Sequence, residues 1–567
     1  MTDQKVTSLN DLRVAFEELR HVNPMLELVE RNINGTEHNV FKNAPPTLRD
    51  LINTVQLLMG DFPFINDRGT QYQFSEIITK AKSVSNYLAE QGLKPGDSVG
   101  ICMQNSIDWV IAFLGVAGSG MTCVPFNSWW KEDELAYGVE HSEVKLIFVD
   151  QKRYDLAKNL NVHLVVSGKV EGATSMDDAL NSSADDWPEL NAKDEDVAVV
   201  LYTSGSTGLP KGVMLTHLSV VNAMLGFYAL GELTTHITKE PLLQVENASV
   251  IINVPLFHVT GLITQFLLSM LAKRNMYLMH KWDAKEALKL IHNEKITNLS
   301  GVPTQSWDLL NHPDVDSYDL SSLIDIGAGG SARPEEQVKQ LTEKFNLPLT
   351  FAWGMTETAA LGTIHRGESY LKRPTSCGLP VPLITEIGIM DENWNLLNTN
   401  DIGELVFKSP TNTIGYLKNL EETAKTIQNG WLRTGDLGYI DEDGYLFIVD
   451  RKKALIIRGG ENISTLEVEN AIDKHPSVLE SCVSGIEDEK FGEIVGALIY
   501  CKENLSSQEI KDFLSNNLAG YKIPEVIIFS SSPLPRIASE KIDRVLIKKM
   551  LSDNISVSYT HLRAHET

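Results

Sequence analysis

Residues 98–150 read SVGICMQNSIDWVIAFLGVAGSGMTCVPFNSWWKEDELAYGVEHSEVKLIFVD. Three short apolar runs, SVGICM, TCVPFN and VKLIFVD, alternate with two segments of helical period, DWVIAFLGVAGSG and EDELAYGVEHS. This βαβα rhythm predicts parallel sheets covered by helices. It continues through most of the chain and changes near Asp436. There DLGYIDEDGYLFIVDRKKALIIRGG brings tight acidic turns, with Asp443-Gly444 set between alternating apolar residues as in a β-hairpin. EVENAIDKHPSVLESCVSGI and EIVGALIYCKE then read helix, strand, strand. The expected class is α/β: a large N-terminal domain of parallel-rich sheets with helices, plus a small mobile C-terminal α+β domain.

The charged cluster at 450–453 joins the two textures without a long linker. The expected division is 1–452 for the large domain and 453–556 for the small one. Residues 557–567, VSYTHLRAHET, read as a translated sequencing adapter and are left out of the fold.

The 567 residues are 43% hydrophobic and 22% charged, which suits a soluble enzyme. A net charge of −25 repels nucleic-acid backbones and anionic headgroups, so nucleic acid is excluded as a partner. Cys102, Cys123, Cys377, Cys482 and Cys501 form no CxxC pair, which argues against a zinc site or disulfide framework and for a reducing, cytoplasmic setting. The N-terminus lacks the features of a secretory signal. The longest apolar stretches fall short of the ~20 residues of a membrane span.

After the apolar strand VAVVLY comes Thr203-Ser204-Gly205-Ser206-Thr207-Gly208-Leu209-Pro210-Lys211-Gly212. Glycines let backbone amides approach an anion, hydroxyls add donors, and Lys211 adds a compact charge, so the run suits phosphates. It departs from the Walker pattern, because Pro210 precedes the lysine and Gly212 follows it. The competing reading is a Gly/Ser surface loop. Residues 327–332, GAGGSA, formally match a dinucleotide fingerprint, but no acidic residue follows at the required ~20 positions. A flat loop against a purine fits better. In Trp353-Gly354-Met355-Thr356-Glu357-Thr358, Glu357 either ligates Mg2+ beside nucleotide phosphates or serves as a capping or solvated carboxylate. Asp436 suits ribose hydroxyls, and Arg451 suits a ribose or phosphate oxygen. Taken singly, the first also reads as a turn residue and the second as a surface ion-pair member.

The series TSGSTGLPKG, PLFHVTGL, GAGGSARP, WGMTET, GWLRTGDLGYID, DRKKALIIRGGENI and KIDR resembles the adenylate-forming superfamily in order and spacing. That superfamily comprises acyl-CoA synthetases, adenylation domains of nonribosomal peptide synthetases and beetle luciferases. The resemblance covers about residues 70–551. It implies that a carboxylate attacks the α-phosphate of ATP to give acyl-AMP, and that a thiol, usually coenzyme A, then takes the acyl group. It further implies that Thr203, Ser204, Gly205, Ser206, Thr207, Gly208 and Lys211 hold phosphates. Gly329, Gly330, Ser331 and Trp353 would frame the adenine, and Thr356 would touch the α-phosphate. Glu357 would ligate Mg2+, and Asp436 with Arg451 would hold the ribose. Lys541 would bridge carboxylate and α-phosphate. Lys453 would be the hinge, swinging the loop of Gly459 and Gly460 toward the thiol step.

The implied substrates are a small-molecule carboxylic acid, fatty or otherwise apolar, together with coenzyme A. Amino-acid-activating relatives carry an aspartate where this chain has His258, so a free amino acid would bury an unpaired cation. The resemblance implies that residues 255–265, 301–305 and 351–358 enclose the acyl group, and His258 either gates that pocket or packs. The neighbouring GLITQFLLSML is expected to be ordinary core helix. The sequence departs from the family at Glu540, where glycine is usual, and at Thr465 and Trp353, where proline and tyrosine are. Ala454 also follows the hinge where an acidic residue is common. Glu540 is expected to set a carboxylate beside the Lys541 ammonium and to deprive the loop of φ freedom. The readings left open are a carrier-protein acceptor, a luciferase-like oxygenation and a nucleotide-binding pseudo-enzyme. Oligomeric state is open too, a homodimer among the options.

Overall fold

The computed structural model describes residues 8–182, 186–203, 209–239 and 245–563. The predicted alternation is present: Ser98–Cys102, Thr122–Pro125 and Leu146–Asp150 are parallel neighbours, joined by helices Ile107–Ser119 and Glu132–Ser142. They lie in an eight-stranded sheet that Val197–Thr203 and its antiparallel partner Lys211–Thr216 extend. A second, nine-stranded sheet runs parallel through its centre, from Leu349–Trp353 by way of Asp325–Gly329 and Asn298–Gly301 to Pro63–Asp67.

One core unites the two sheets through the helices between them. Helix Ile107–Ser119 is buried from Trp109 onward, as its unbroken apolar sequence requires. It packs close to helix Phe74–Glu90, because a Cβ on Gly115 would meet Val84 Cγ1 at 2.6 Å. A five-stranded antiparallel sheet containing Gly403–Lys408, Trp431–Ile440 and Leu446–Arg451 closes the large domain. The predicted hairpin turn at Asp443-Gly444 joins the last two of these strands, with Gly444 at φ +89°.

Arg451 ends that sheet, and Ile456 begins the first strand of the small domain. The helix, strand, strand order is observed as Thr465–Ile472, Val478–Asp488 and Gly492–Cys501, around a separate core. Hydrogen bonds from Ser464 and Thr465 tie this domain to strand Leu446–Arg451. Ser464 Oγ donates to Val449 O at 2.8 Å, and the Thr465 N–H donates to Asp450 Oδ2 at 2.5 Å. A proline at 465 would lack that N–H. The final helix, Arg544–Arg563, continues into the stretch read as adapter. Among the described residues, no helix is long and apolar enough to cross a membrane.

Candidate active site

Thr203 and Lys211 are cross-strand partners, so the phosphate-binding candidate bridges two paired strands of the eight-stranded sheet. Ser204, Gly205, Ser206, Thr207 and Gly208 lie outside the described residues. At the near end of this run, Lys211 Nζ pairs with Glu422 and lies 5.3 Å from the centre of the Tyr416 ring. The Tyr416 hydroxyl in turn donates to Glu357 Oε1 at 3.0 Å. Glu357 sits on a buried single turn, Thr356–Thr358. Burial raises its pKa above the usual carboxylate range, against the pull of Tyr416, Arg451 and Lys211. A buried carboxylate short of positive charge is suited to a cation. Among the described residues no three His, Cys, Asp or Glu gather to hold a metal on their own. Mg2+ here would therefore rest on Glu357 and on phosphate oxygens, the usual mode for that ion.

Asp436 is 5% exposed. The Trp353 indole Nε1–H donates to its Oδ2 at 2.9 Å, and Arg451 Nε lies 2.9 Å from its Oδ1. Oδ1 nevertheless has no aligned hydrogen-bond donor. A buried carboxylate oxygen left in this way fits a ligand hydroxyl. The expected adenine plate is thus also the holder of the expected ribose carboxylate.

Lys541 enters from the small domain. A Cβ on Gly330, which has φ +78°, would stand 2.9 Å from Lys541 Nζ, so glycine gives the ammonium its room. Burial first, and then the charge of Arg451, lower the Lys541 pKa to about 8, while Asp436 opposes the shift. The His258 imidazole is pushed down to about 3, by burial and then by Lys541. It is a neutral ring within the field of the lysine, its centre 5.6 Å from that of the Phe257 ring, which is tilted to it by 42°.

The structure therefore brings Lys541, His258, Gly330, Trp353, Asp436 and Arg451 together, and joins Thr356, Glu357 and Lys211 to them. Gly329 ends the strand leading into this loop, and Ser331 is exposed just beyond. Gly459 and Gly460 stand apart on an exposed turn at φ +59° and +93°, with the Gly459 N–H bonded to Phe491 O. Lys453 is exposed between the domains.

Two expectations are corrected. Glu540 does occupy the left-handed region, at φ +64°, but the Lys541 ammonium is not among the charged neighbours of its carboxylate. Its Oε2 lies 3.9 Å from Arg536 Nη1, and Asp308 and Lys281 are its other charged neighbours. Consecutive residues on so tight a turn project in different directions. GLITQFLLSML is buried, but Thr260–Leu267 winds as a π-helix. Two features favour this winding: the Thr264 hydroxyl captures Thr260 O at 2.6 Å, and Gly261 lies where a Cβ would be 2.2 Å from Pro255 O.

Several supporting partnerships escaped the sequence reading. Gln265 Nε2 donates to Asn253 Oδ1 at 2.7 Å, and Asn253 Nδ2 donates to Gln305 Oε1 at 2.9 Å. This buried amide chain braces the segments expected to enclose the acyl group. Its signal was available, since Asn253 and Gln265 are polar residues inside apolar runs. Tyr416 and Glu422 carried no such mark.

Comparison with known proteins agrees with this geometry. Residues 55–417 match the family model described as AMP-binding enzyme, and residues 467–541 match the AMP-binding enzyme C-terminal domain. A long-chain-fatty-acid–CoA ligase of Bacillus subtilis (strain 168) is 32% identical over 88% of this chain and 93% of its own length. A 2-succinylbenzoate–CoA ligase of Bacillus licheniformis is 32% identical, over 83% and 93%. The solved o-succinylbenzoate coenzyme A synthetase of Bacillus subtilis, in complex with ATP and magnesium ion, superposes with a TM-score of 0.75 at 27% identity, covering 88% and 98%.

Proposed function

We propose, since this chain belongs to the AMP-binding enzyme family and is an AMP-forming acid–thiol ligase, that it activates a fatty or other apolar carboxylic acid and passes it to coenzyme A. One observation carries the reading: the Lys541 ammonium is seated against Gly330, beside the buried Asp436 carboxylate and its exposed partner Arg451.

In the first step a carboxylate oxygen bonds to the α-phosphorus, and the bond to the bridging oxygen of pyrophosphate breaks. The protein's contribution is alignment and charge neutralisation. Lys541 faces the oxygens on which charge accumulates. Asp436, oriented by Trp353, takes the ribose hydroxyls through Oδ1, which no aligned donor occupies, and Arg451 covers the same edge. Lys211 leaves Glu422 for phosphate oxygens. Mg2+, held by Glu357, would lower the charge on those oxygens. In the second step the thiol sulfur bonds to the acyl carbon, AMP leaves, and the thiol proton is lost.

The segments 255–265, 301–305 and 351–358 contain one carboxylate, Glu357, which is bonded to Tyr416. With a neutral His258, this supports an uncharged acyl chain. We place the domain boundary at 452/453, with Lys453 as hinge. Five unpaired cysteines support a cytoplasmic setting.

The test is pyrophosphate release over a panel of carboxylic acids with ATP and Mg2+, with and without coenzyme A. Acid-dependent release with apolar acids, and thioester formed only with coenzyme A, are expected. Release with no acid, or thioester on carrier proteins alone, overturns the reading.

A further inference from the structure

Helix Pro303–Leu310 has two working faces. Gln305 points into the buried amide chain beneath the expected acyl pocket. Thr304, Trp307 and Asp308, spaced i, i+3 and i+4, share another face and reach the small domain at three points. The Thr304 hydroxyl donates to Glu540 O at 2.8 Å. The Trp307 Nε1–H donates to Leu479 O at 3.0 Å. Asp308 takes the Arg536 guanidinium as a fork, Nη1 to Oδ2 at 2.6 Å and Nη2 to Oδ1 at 2.9 Å.

Arg536 and Lys541 bracket one tight turn, in which the Ile537 N–H bonds to Lys541 O and the Glu540 N–H bonds to Ile537 O, both at 2.9 Å. The helix therefore grips this turn on both sides: at the guanidinium that opens it and at the carbonyl just before the lysine. Both ends of the clamp are fixed in advance. Trp282 Nε1–H orients Asp308 Oδ2 at 2.9 Å, and Glu480 Oε1 holds Arg536 Nη2 at 2.6 Å. A planar fork on a carboxylate sets direction as well as attraction.

We propose that Asp308, with Thr304 and Trp307, forms the docking face that positions Lys541 for adenylation, so that a single helix ties the wall of the acyl pocket to the seating of the small domain. Asp308 acts through Arg536 and is a positioning residue. The proposal deepens the reading above, because it takes Lys541 as the adenylation cation.

The test is Asp308→Asn in the full chain, with Asp308→Glu as the conservative control. Acid-dependent ATP–pyrophosphate exchange is expected to fall about tenfold in kcat, with KM for ATP and acid within about twofold. Thioester formation from supplied acyl-AMP and coenzyme A should stay within about twofold, and Asp308→Glu should recover more than half of the exchange. Hydrogen exchange at the Ile537 and Glu540 amides should quicken at least fivefold while strand Gly492–Cys501 is unchanged. Equal loss in both half-reactions, or unaltered exchange at those two amides, overturns the proposal. If the unmodified chain releases pyrophosphate with no acid, the proposed function fails, and the amide measurement still decides the clamp.

Discussion

Asp436 and Arg451 stand directly opposite one another on antiparallel strands, yet the aspartate side chain is 7% exposed and the arginine side chain 70%. The anion is sunk in the protein while its countercharge lies largely in solvent. An exposed partner is screened and mobile, so the Trp353 indole is the rigid element that fixes the carboxylate.

Trp353→Phe keeps an aromatic ring and deletes that donor. We expect KM for ATP to rise about fivefold, the equivalent of about 1 kcal/mol, with a smaller change in kcat. Initial rates of pyrophosphate release against ATP concentration check this; an unchanged KM refutes the holding role.

Lys541 titrates near 8 in the folded protein, below the 10.5 of a free lysine. In the proposed mechanism adenylation uses the ammonium, so kcat/KM should decline as pH rises through about 8. Lys541→Arg should move that limb out of range. Lys541→Ala should cut acyl-AMP formation at least ~100-fold while thioester formation from supplied acyl-AMP persists. The stability effect has the opposite sense. The folded state gives up this proton first, so the contribution of Lys541 to stability rises with pH between about 8 and 10.5.

Glu540 holds a left-handed conformation that a glycine adopts without strain. Glu540→Gly is expected to preserve or raise the adenylation rate and to stabilise the small domain by up to about 1 kcal/mol. Glu540→Ala keeps the backbone strain and should not stabilise. Thermal unfolding of the two variants distinguishes them; equal stabilisation would assign the effect to the lost carboxylate.

In the small domain, burial first, and then the charges of Glu469 and Glu480, push the Asp473 carboxyl up to about 8. The Ser481 hydroxyl donates to its Oδ1 at 2.6 Å. The folded state keeps a proton that the unfolded chain sheds near 3.8, so this group makes stability fall as pH rises from about 4 to about 8. Asp473→Asn should flatten that dependence in Tm measured at pH 5 and pH 8. A slope unchanged by the substitution would place its origin elsewhere.

What could be read from the sequence was what local order encodes. The βαβα alternation in residues 98–150, the Asp443-Gly444 turn and the spacing of the motifs all follow from periods and short-range chemistry. Partnerships across long separations did not show. Trp353 and Asp436 are 83 positions apart, and nothing near Trp353 says that its N–H, rather than its ring face alone, matters. Tyr416 links Lys211 to Glu357 through a ring and a hydroxyl that look like any core tyrosine in sequence. Glu540 misled for the opposite reason: adjacency in sequence suggested adjacency in space, and a turn at positive φ undid it.

The π-helix at Thr260–Leu267 acts as a spacer measured in single residues. Each residue of ordinary helix advances the side chains by ~100° around the axis. Removing one residue there would let the segment relax into regular winding, at the expense of phase. Everything before the excision, His258 included, would be turned by roughly that angle against the largely buried Leu268–Leu271 turn that anchors the segment from behind. A deletion of one amino acid, with almost no change in overall composition or hydrophobicity, would thus re-aim one wall of the site, whereas most point substitutions on the same segment would leave its aim intact.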